Sequence, residues 1–276
     1  MTDSGVPSVT RIGGAFARAG AEGRKALVLY LTGSDPDFDT SRRLLLAASR
    51  AGADLLELGV PWSDPSADGP AIQAAMHRAR AAGGGMAATL ELCRAVRQDD
   101  PEVAIVLFGY ANPIVVRGIE TFAAQAKQAG ADGVLCVDWP ADEDPTLAQA
   151  LAQQDLDTIP LIAPTSTPER VRAAAAVARG FLYYVSLTGI TGSRLPDLTK
   201  ASARVQQVRE LCGGRLPVAV GFGIATPADA KVVAGFADGV VVGSAAVRVI
   251  ERAQAAGRDP VPALEAFVAD LRRALG

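Results

Sequence analysis

Asp54-Leu-Leu-Glu-Leu-Gly-Val-Pro-Trp-Ser-Asp-Pro-Ser-Ala-Asp-Gly-Pro70 is a short apolar run with one acid inside it, followed by a rigid acidic loop. Leu55 to Leu58 reads as a strand buried on both faces, and Gly59 and Pro61 end it. Glu57 lies near the strand end. Asp64 and Asp68 follow on the loop. Burial raises a carboxyl pKa, whereas solvation or hydrogen bonding keeps a neighbouring carboxylate ionised. Two acids in unlike settings divide the labour of moving protons.

The same unit recurs along the chain. Apolar runs at 25–32, 54–59, 102–108, 133–138, 158–163, 180–186, 216–221 and 238–243 read as eight strands, each followed by a helical pattern. Such continuous runs do not face water on one side, which is the character of parallel strands. Eight alternations in about 250 residues predict an α/β fold, the (β/α)8 or TIM barrel. An extra N-terminal helix is expected from Ser8, with Ser8 as its cap and Val9, Ile12 and Phe16 on one face. Extra helices are expected after strand two, over 71–81, and after strand eight, where 244–255 and 262–275 both read as helical. Residues 109–113 read as a turn and 142–153 as a helix. Residues 1–276 form one barrel domain on this reading, with 1–7 loose. An open doubly wound sheet is the alternative, but no Gly-x-Gly-x-x-Gly follows the first strand.

Composition narrows the partners. A net charge of −3 and few aromatics argue against nucleic acid, which needs a basic face. Cys93, Cys136 and Cys212 are an odd number without a C-x-x-C, and read as reduced thiols of a cytoplasmic protein. Met1 to Thr10 lacks a basic-then-apolar leader, so no signal peptide is expected. No apolar run reaches the roughly 20 residues of a membrane helix. His77 is the only histidine, so no histidine-based metal site is expected. Beside Arg78 and Arg80, it reads as a solvated helix residue.

In a barrel the chemistry lies at the C-terminal ends of the strands. Glu57 ends strand two there, either as a structural ion pair or as a catalytic acid. Asp68 is either a turn residue before Gly69 or a second acid. Tyr183 and Tyr184 are neighbours in strand six, and alternation sends only one inward. Glycines cluster on three late loops: Gly189 to Gly192, Gly221 to Gly223, and Gly243 before Ser244. A phosphate site after strands seven and eight recurs in barrels, because glycine lets backbone N–H groups approach the anion.

At these residues the chain resembles the tryptophan synthase alpha subunit family, from about residue 11 to 275. Glu57-Leu-Gly-Val-Pro-Trp-Ser-Asp-Pro-Ser-Ala-Asp-Gly-Pro70 with Ile72-Gln73 is similar to the family signature. Tyr110-Ala-Asn-Pro-Ile114, Tyr183-Tyr-Val-Ser-Leu-Thr-Gly-Ile-Thr-Gly192, Gly221-Phe-Gly-Ile224 and Gly239-Val-Val-Val-Gly-Ser244 resemble further segments. The resemblance implies retro-aldol cleavage of indole-3-glycerol phosphate to indole and D-glyceraldehyde 3-phosphate. It puts Glu57 on the general acid/base, Asp68 on the acid that accepts from the indole N–H, and Tyr183 on a supporting tyrosine. Gly192, Gly223, Gly243 and Ser244 fall on the phosphate site, and Thr191 on a mobile loop that helps position Asp68. Tyr30, Phe108 and Ile162 fall on the indole pocket.

The resemblance also implies an αββα complex, in which indole passes to a beta subunit for L-tryptophan synthesis. Pyridoxal phosphate belongs to that subunit, so no cofactor is expected in this chain. Segments 61–66 and 110–114 and Asp138 resemble partner-facing positions. Leu31-Thr-Gly-Ser-Asp-Pro36, Trp62 and Phe108-Gly109 depart from the usual family residues, and none removes a catalytic group. Two other readings stand beside it. A Schiff-base aldolase needs a lysine at a strand end, and the four lysines fall elsewhere. A non-catalytic activator of a beta subunit does not need Glu57 and Asp68 intact.

Overall fold

The computed structural model describes residues 10–140, 143–185, 198–221 and 223–276. A first helix, α1 (Arg11–Ala21), leads into β1 (Ala26–Thr32), whose seven residues are all buried. Then follow α2 (Phe38–Arg50), β2 (Leu55–Gly59), α3 (Pro70–Ala81), α4 (Met86–Asp99) and β3 (Ala104–Gly109). The middle of the chain holds α5 (Ala111–Arg117), α6 (Ile119–Gln128), β4 (Gly133–Cys136), α7 (Thr146–Gln153), β5 (Asp157–Thr158) and β6 (Leu161–Ile162). After α8 (Pro168–Val177) come β7 (Leu182–Val185), α9 (Leu198–Leu211), β8 (Val218–Gly221), α10 (Pro227–Ala234) and β9 (Gly239–Val242). Two helices, α11 (Ser244–Ala255) and α12 (Pro260–Ala274), finish the chain.

Every pairing is parallel, in the order β5-β4-β3-β2-β1-β9-β8-β7-β6. β5 and β6 are two halves of the single strand expected over 158–163. Pro160 lies between them and has no N–H to donate, so the ladder is interrupted there. The segment still bonds on both sides. Ile159 N–H donates to Val134 O at 3.0 Å, and Tyr183 N–H donates to Pro160 O at 3.1 Å. Read as one strand, the two halves close the ring of eight, a (β/α)8 barrel.

Strand residues sort by parity. Val28, Leu55, Val106, Leu135, Phe181 and Ala219 point inward and form one core with Ile12 and Phe16 of α1. A Cβ on Gly133 would meet Ile12, and one on Gly239 would meet Phe16, so α1 covers the starts of the strands. Leu29, Leu56, Leu107, Leu182 and Val220 point outward and pack in the core shared with the helices.

At the same end, three aspartates pin neighbouring strands together. Asp54, Asp132 and Asp238 each follow an alanine just before a strand. Their carboxylates accept from Leu27 N, Ile105 N and Val218 N at 2.8–2.9 Å. Their own N–H groups donate back to the carbonyls of the same three residues. Arg24, Arg97 and Arg209 complete the pairs. Charge-assisted bonds at these edges fix register away from the C-terminal mouth.

Several boundaries differ from expectation. α1 begins at Arg11, capped by Thr10, which accepts from Gly13 N at 3.2 Å and donates to the buried Asp157 at 2.7 Å. Ser8 and Val9 lie outside the described residues. The expected turn at 109–113 runs into a short helix, α5, because Asp138 accepts from Ala111 N at 2.7 Å and so satisfies an N-terminal donor. α7 starts at Thr146 rather than 142. Asp144 accepts from Thr146 N and Oγ1 ahead of it, and Pro145 stands at its cap.

Candidate active site

Glu57 is on the inward face of β2. In register it lies between Tyr30 of β1 and Val106 of β3. It is 0% exposed, and neither carboxyl oxygen has a hydrogen-bond partner among the described residues. No cation among the described residues is paired with it, so the structural ion-pair reading finds no support there. Burial without a partner disfavours the charged form and pushes its pKa up to about 8. A proton on Glu57 is therefore favoured at neutral pH.

Asp68 sits just before α3, with Gly69 as the cap and Pro70 in the first turn. Gln73 Nε2 donates to Asp68 O at 2.8 Å, and Asp68 N donates to Pro65 O at 3.0 Å. These bonds make the loop rigid. Tyr110 Oη donates to Asp68 Oδ2 at 2.6 Å. Burial raises the Asp68 pKa to about 6, with the Tyr110 bond acting against the rise. Burial thus raises Glu57 further than Asp68, which favours the neutral form of Glu57 and the charged form of Asp68 at pH 7.

Tyr183 takes the inward position, and Tyr184 packs outward at 2% exposure. The phenol pKa of Tyr183 is raised well above its ordinary value, first by burial and then by the charges of Glu57 and Asp68. Tyr183 shares the inward face of the barrel with Glu57. The Tyr183 ring passes over Gly221, where an added Cβ would lie 2.2 Å from its hydroxyl. Tyr30 meets Phe108 edge-on at 5.1 Å, and its hydroxyl is 3.3 Å from Thr32 Oγ1. Both rings belong to a small cluster with Ala71, Ala75 and Val247.

Ile162 does not join them. It is paired with Tyr184, points outward and lies in the helix-side core. Leu161, paired with Tyr183, faces the interior instead. Parallel neighbours in register share a face, so the inward position on this strand is Leu161.

Gly243 caps α11 without a side-chain bond, and Ser244 is its first residue, so the first-turn N–H groups are open to an anion. Gly223 is exposed, with nothing within 4 Å of an added Cβ. Gly192 and Thr191 lie outside the described residues. None of the four lysines sits at the C-terminal end of a strand: Lys25 precedes β1, and Lys127, Lys200 and Lys231 are in helices. The Schiff-base reading has no residue to carry it. The Asp68–Tyr110 contact was not read from the sequence. The signal was the tyrosine at the mouth of strand three.

Beside the mouth, Pro61, Trp62, Pro113 and Val116 line a surface cavity of about 420 Å³, with Arg80 and Arg117 among its other walls. Val116 is 82% exposed and Val115 53%.

Fold and site together define an acid–base enzyme built on a (β/α)8 barrel. Comparison with known proteins names the family. The model of the tryptophan synthase alpha chain matches residues 16–275. The tryptophan synthase alpha chain of Geobacter sulfurreducens is 47% identical over 270 residues, covering 97% of this chain and 100% of that one. That of Dechloromonas aromatica is 46% identical over 265 residues, covering 96% and 97%. The crystal structure of tryptophan synthase subunit alpha from Legionella pneumophila superposes with a TM-score of 0.91 at 38% identity, covering 97% of this chain and 99% of that one. The chain belongs to the tryptophan synthase alpha chain family, lyases that cleave indole-3-glycerol phosphate to indole and D-glyceraldehyde 3-phosphate.

Proposed function

We propose that Glu57 is the general acid/base of this cleavage and Asp68 the anion that steadies the indole ring. The C–C bond breaks only after indole C3 becomes tetrahedral, so a proton must be delivered there. Glu57 holds one. As the bond breaks, its carboxylate takes the proton from the hydroxyl on the departing carbon, whose C–O becomes the carbonyl while the bond electrons return to the ring. General acid catalysis is worth about 10²–10⁴-fold, or roughly 3–5 kcal/mol. Protonation leaves positive charge on the ring, and the Asp68 carboxylate accepts from the ring N–H. Tyr183 packs beside both. Tyr30, Phe108 and Leu161 wall the ring. Gly223, Gly243 and Ser244, with Gly192, hold the phosphate and so fix the reacting atoms. Thr191, outside the described residues, is assigned to positioning Asp68 in this reading.

The observation that carries this reading is the full burial of Glu57 without a hydrogen-bond partner among the described residues. A carboxyl kept neutral to about pH 8 is a poor structural group and a good proton donor.

The partner in this reading is a beta subunit in an αββα complex. It carries pyridoxal phosphate and consumes indole, and this chain needs no cofactor of its own. The apolar surface around Trp62 and Val116 supports it, since exposed apolar patches mark association sites. The chain acts as one domain in the cytoplasm. The test is indole release from indole-3-glycerol phosphate by wild type and Glu57→Gln, each with and without a beta subunit. A fall of about 100-fold or more in the variant is expected. A folded wild type that makes no indole even with a beta subunit refutes the assignment.

A further inference from the structure

We propose that Tyr110 is a positioning residue for this reaction: its hydroxyl holds the Asp68 carboxylate in the orientation that receives the substrate's ring N–H. The inference rests on the role given to Asp68 above and adds a residue to it.

The hydroxyl makes two bonds. It donates to Asp68 Oδ2 at 2.6 Å and accepts from Ala67 N–H at 3.2 Å. The second bond matters for direction. With a backbone N–H on its oxygen, the hydroxyl proton turns toward the carboxylate. One phenol therefore clamps two successive residues of the acidic loop. Among the described residues it is the only hydrogen-bond donor to the Asp68 carboxylate, and no ion pair reaches that carboxylate. Asp68 Oδ1 stays available to the substrate.

Tyr110 is itself fixed. It is 2% exposed, follows β3 directly and stands at the cap of α5. Asp138 holds the next N–H, at Ala111. The phenol pKa is pushed far up by burial and by Asp68, so the hydroxyl remains a neutral donor throughout the working range. Among the described residues, the titratable groups coupled to Asp68 are Tyr110 at the start of α5, Tyr30 on β1 and Tyr183 on β7. Glu57 on β2 faces the same two inner tyrosines, and Asp138 acts on Tyr110. None of these others donates to Asp68. A hydrogen bond to the ionised form favours that form. Removing it raises the Asp68 pKa, so the acid limb of the rate profile moves to higher pH.

The experiment compares wild type, Tyr110→Phe, and a chain carrying 3-fluorotyrosine at 110, each with a beta subunit, measuring kcat and KM for indole release between pH 5 and 9. In Tyr110→Phe the acid limb is expected to rise by about one pH unit, as for loss of one hydrogen bond to a charged group. kcat then falls about tenfold at pH 5 and recovers above pH 7, while KM changes less than about twofold. Fluorotyrosine keeps the shape and is a stronger donor, so its acid limb moves down. Opposite shifts cannot come from packing, and the fluorinated chain carries the test if the phenylalanine variant does not fold. An acid limb unmoved in fluorotyrosine, or unmoved in a folded phenylalanine variant, overturns the proposal while wild-type turnover leaves the role of the site intact. A wild type without turnover removes both.

Discussion

Glu57 on β2 and Tyr30 on β1 are register partners in the parallel ladder, and both stand inside the barrel. The Tyr30 hydroxyl is spent on Thr32 at 3.3 Å. It makes no hydrogen bond to Glu57, and burial alone raises the acid's pKa to about 8.

If Glu57 and Asp68 have the proposed roles, a bell-shaped pH profile follows. Glu57 must be protonated to give its proton to C3, so kcat/KM for indole release falls as pH rises through about 8. Asp68 must be ionised to meet the charged ring, so kcat/KM falls as pH drops through about 6. Initial rates across pH 5–9 show both limbs. A rate still climbing at pH 9 excludes Glu57 as the acid.

Stability carries the same signature with a definite sign. The folded pKa of Glu57, about 8, lies above the ordinary value of 4.5 for an unfolded glutamate. The folded state therefore holds the proton more tightly. Its contribution is fully present below about pH 4.5 and is lost as pH rises to about 8, by a few kcal/mol in all. Glu57→Gln removes this loss. Urea unfolding at pH 6 and pH 9 is expected to show a stability gap between variant and wild type that shifts in favour of the variant at pH 9. A gap independent of pH means that Glu57 is not buried neutral.

The barrel was legible because apolar runs buried on both faces leave few alternatives to a parallel sheet. The acid inside the second run was legible for the same reason, since Glu57 breaks a pattern that is otherwise unbroken. Face assignment was not. Leu161 and Ile162 are both apolar and both buried, so only the pairing of Leu161 with Tyr183 decides which one enters the pocket. Nor did the pattern reveal contacts between distant residues. Tyr110 and Asp68 are 42 positions apart, and nothing in either segment announces the bond. Asp54 and Asp238 read as strand starts, and Asp132 lies just before the strand read from 133. Their function as clasps appears only when the neighbouring strand is alongside.

Two glycines at the mouth have different reasons for being glycine, and alanine separates them. At Gly221 an added Cβ would be 2.2 Å from the Tyr183 hydroxyl and 2.7 Å from the ring. Gly221→Ala is expected to cost about 1–3 kcal/mol, the range for overpacking, and to lower kcat by displacing Tyr183. At Gly223 the Cβ meets nothing within 4 Å. Gly223→Ala is expected to melt within about 0.5 kcal/mol of wild type, as an open surface change does, yet raise KM through the phosphate. An unchanged KM takes Gly223 out of the phosphate site, and a wild-type melt for Gly221→Ala contradicts the position of Tyr183.

The exposed valines of α5 test the partner. Val116 is 82% exposed beside the cavity that contains Trp62, so a charge there disturbs no core. Val116→Asp is expected to leave the melting temperature and the solitary turnover of the chain unchanged. If the beta subunit docks on this face, the charge must be buried against it, and burying an unpaired carboxylate is strongly unfavourable. Titration with a beta subunit is then expected to show affinity weakened by about tenfold or more, and loss of activation at concentrations that saturate the wild type. Equal affinity for both chains would put the partner on another surface, and the exposed valines would then need a different occupant.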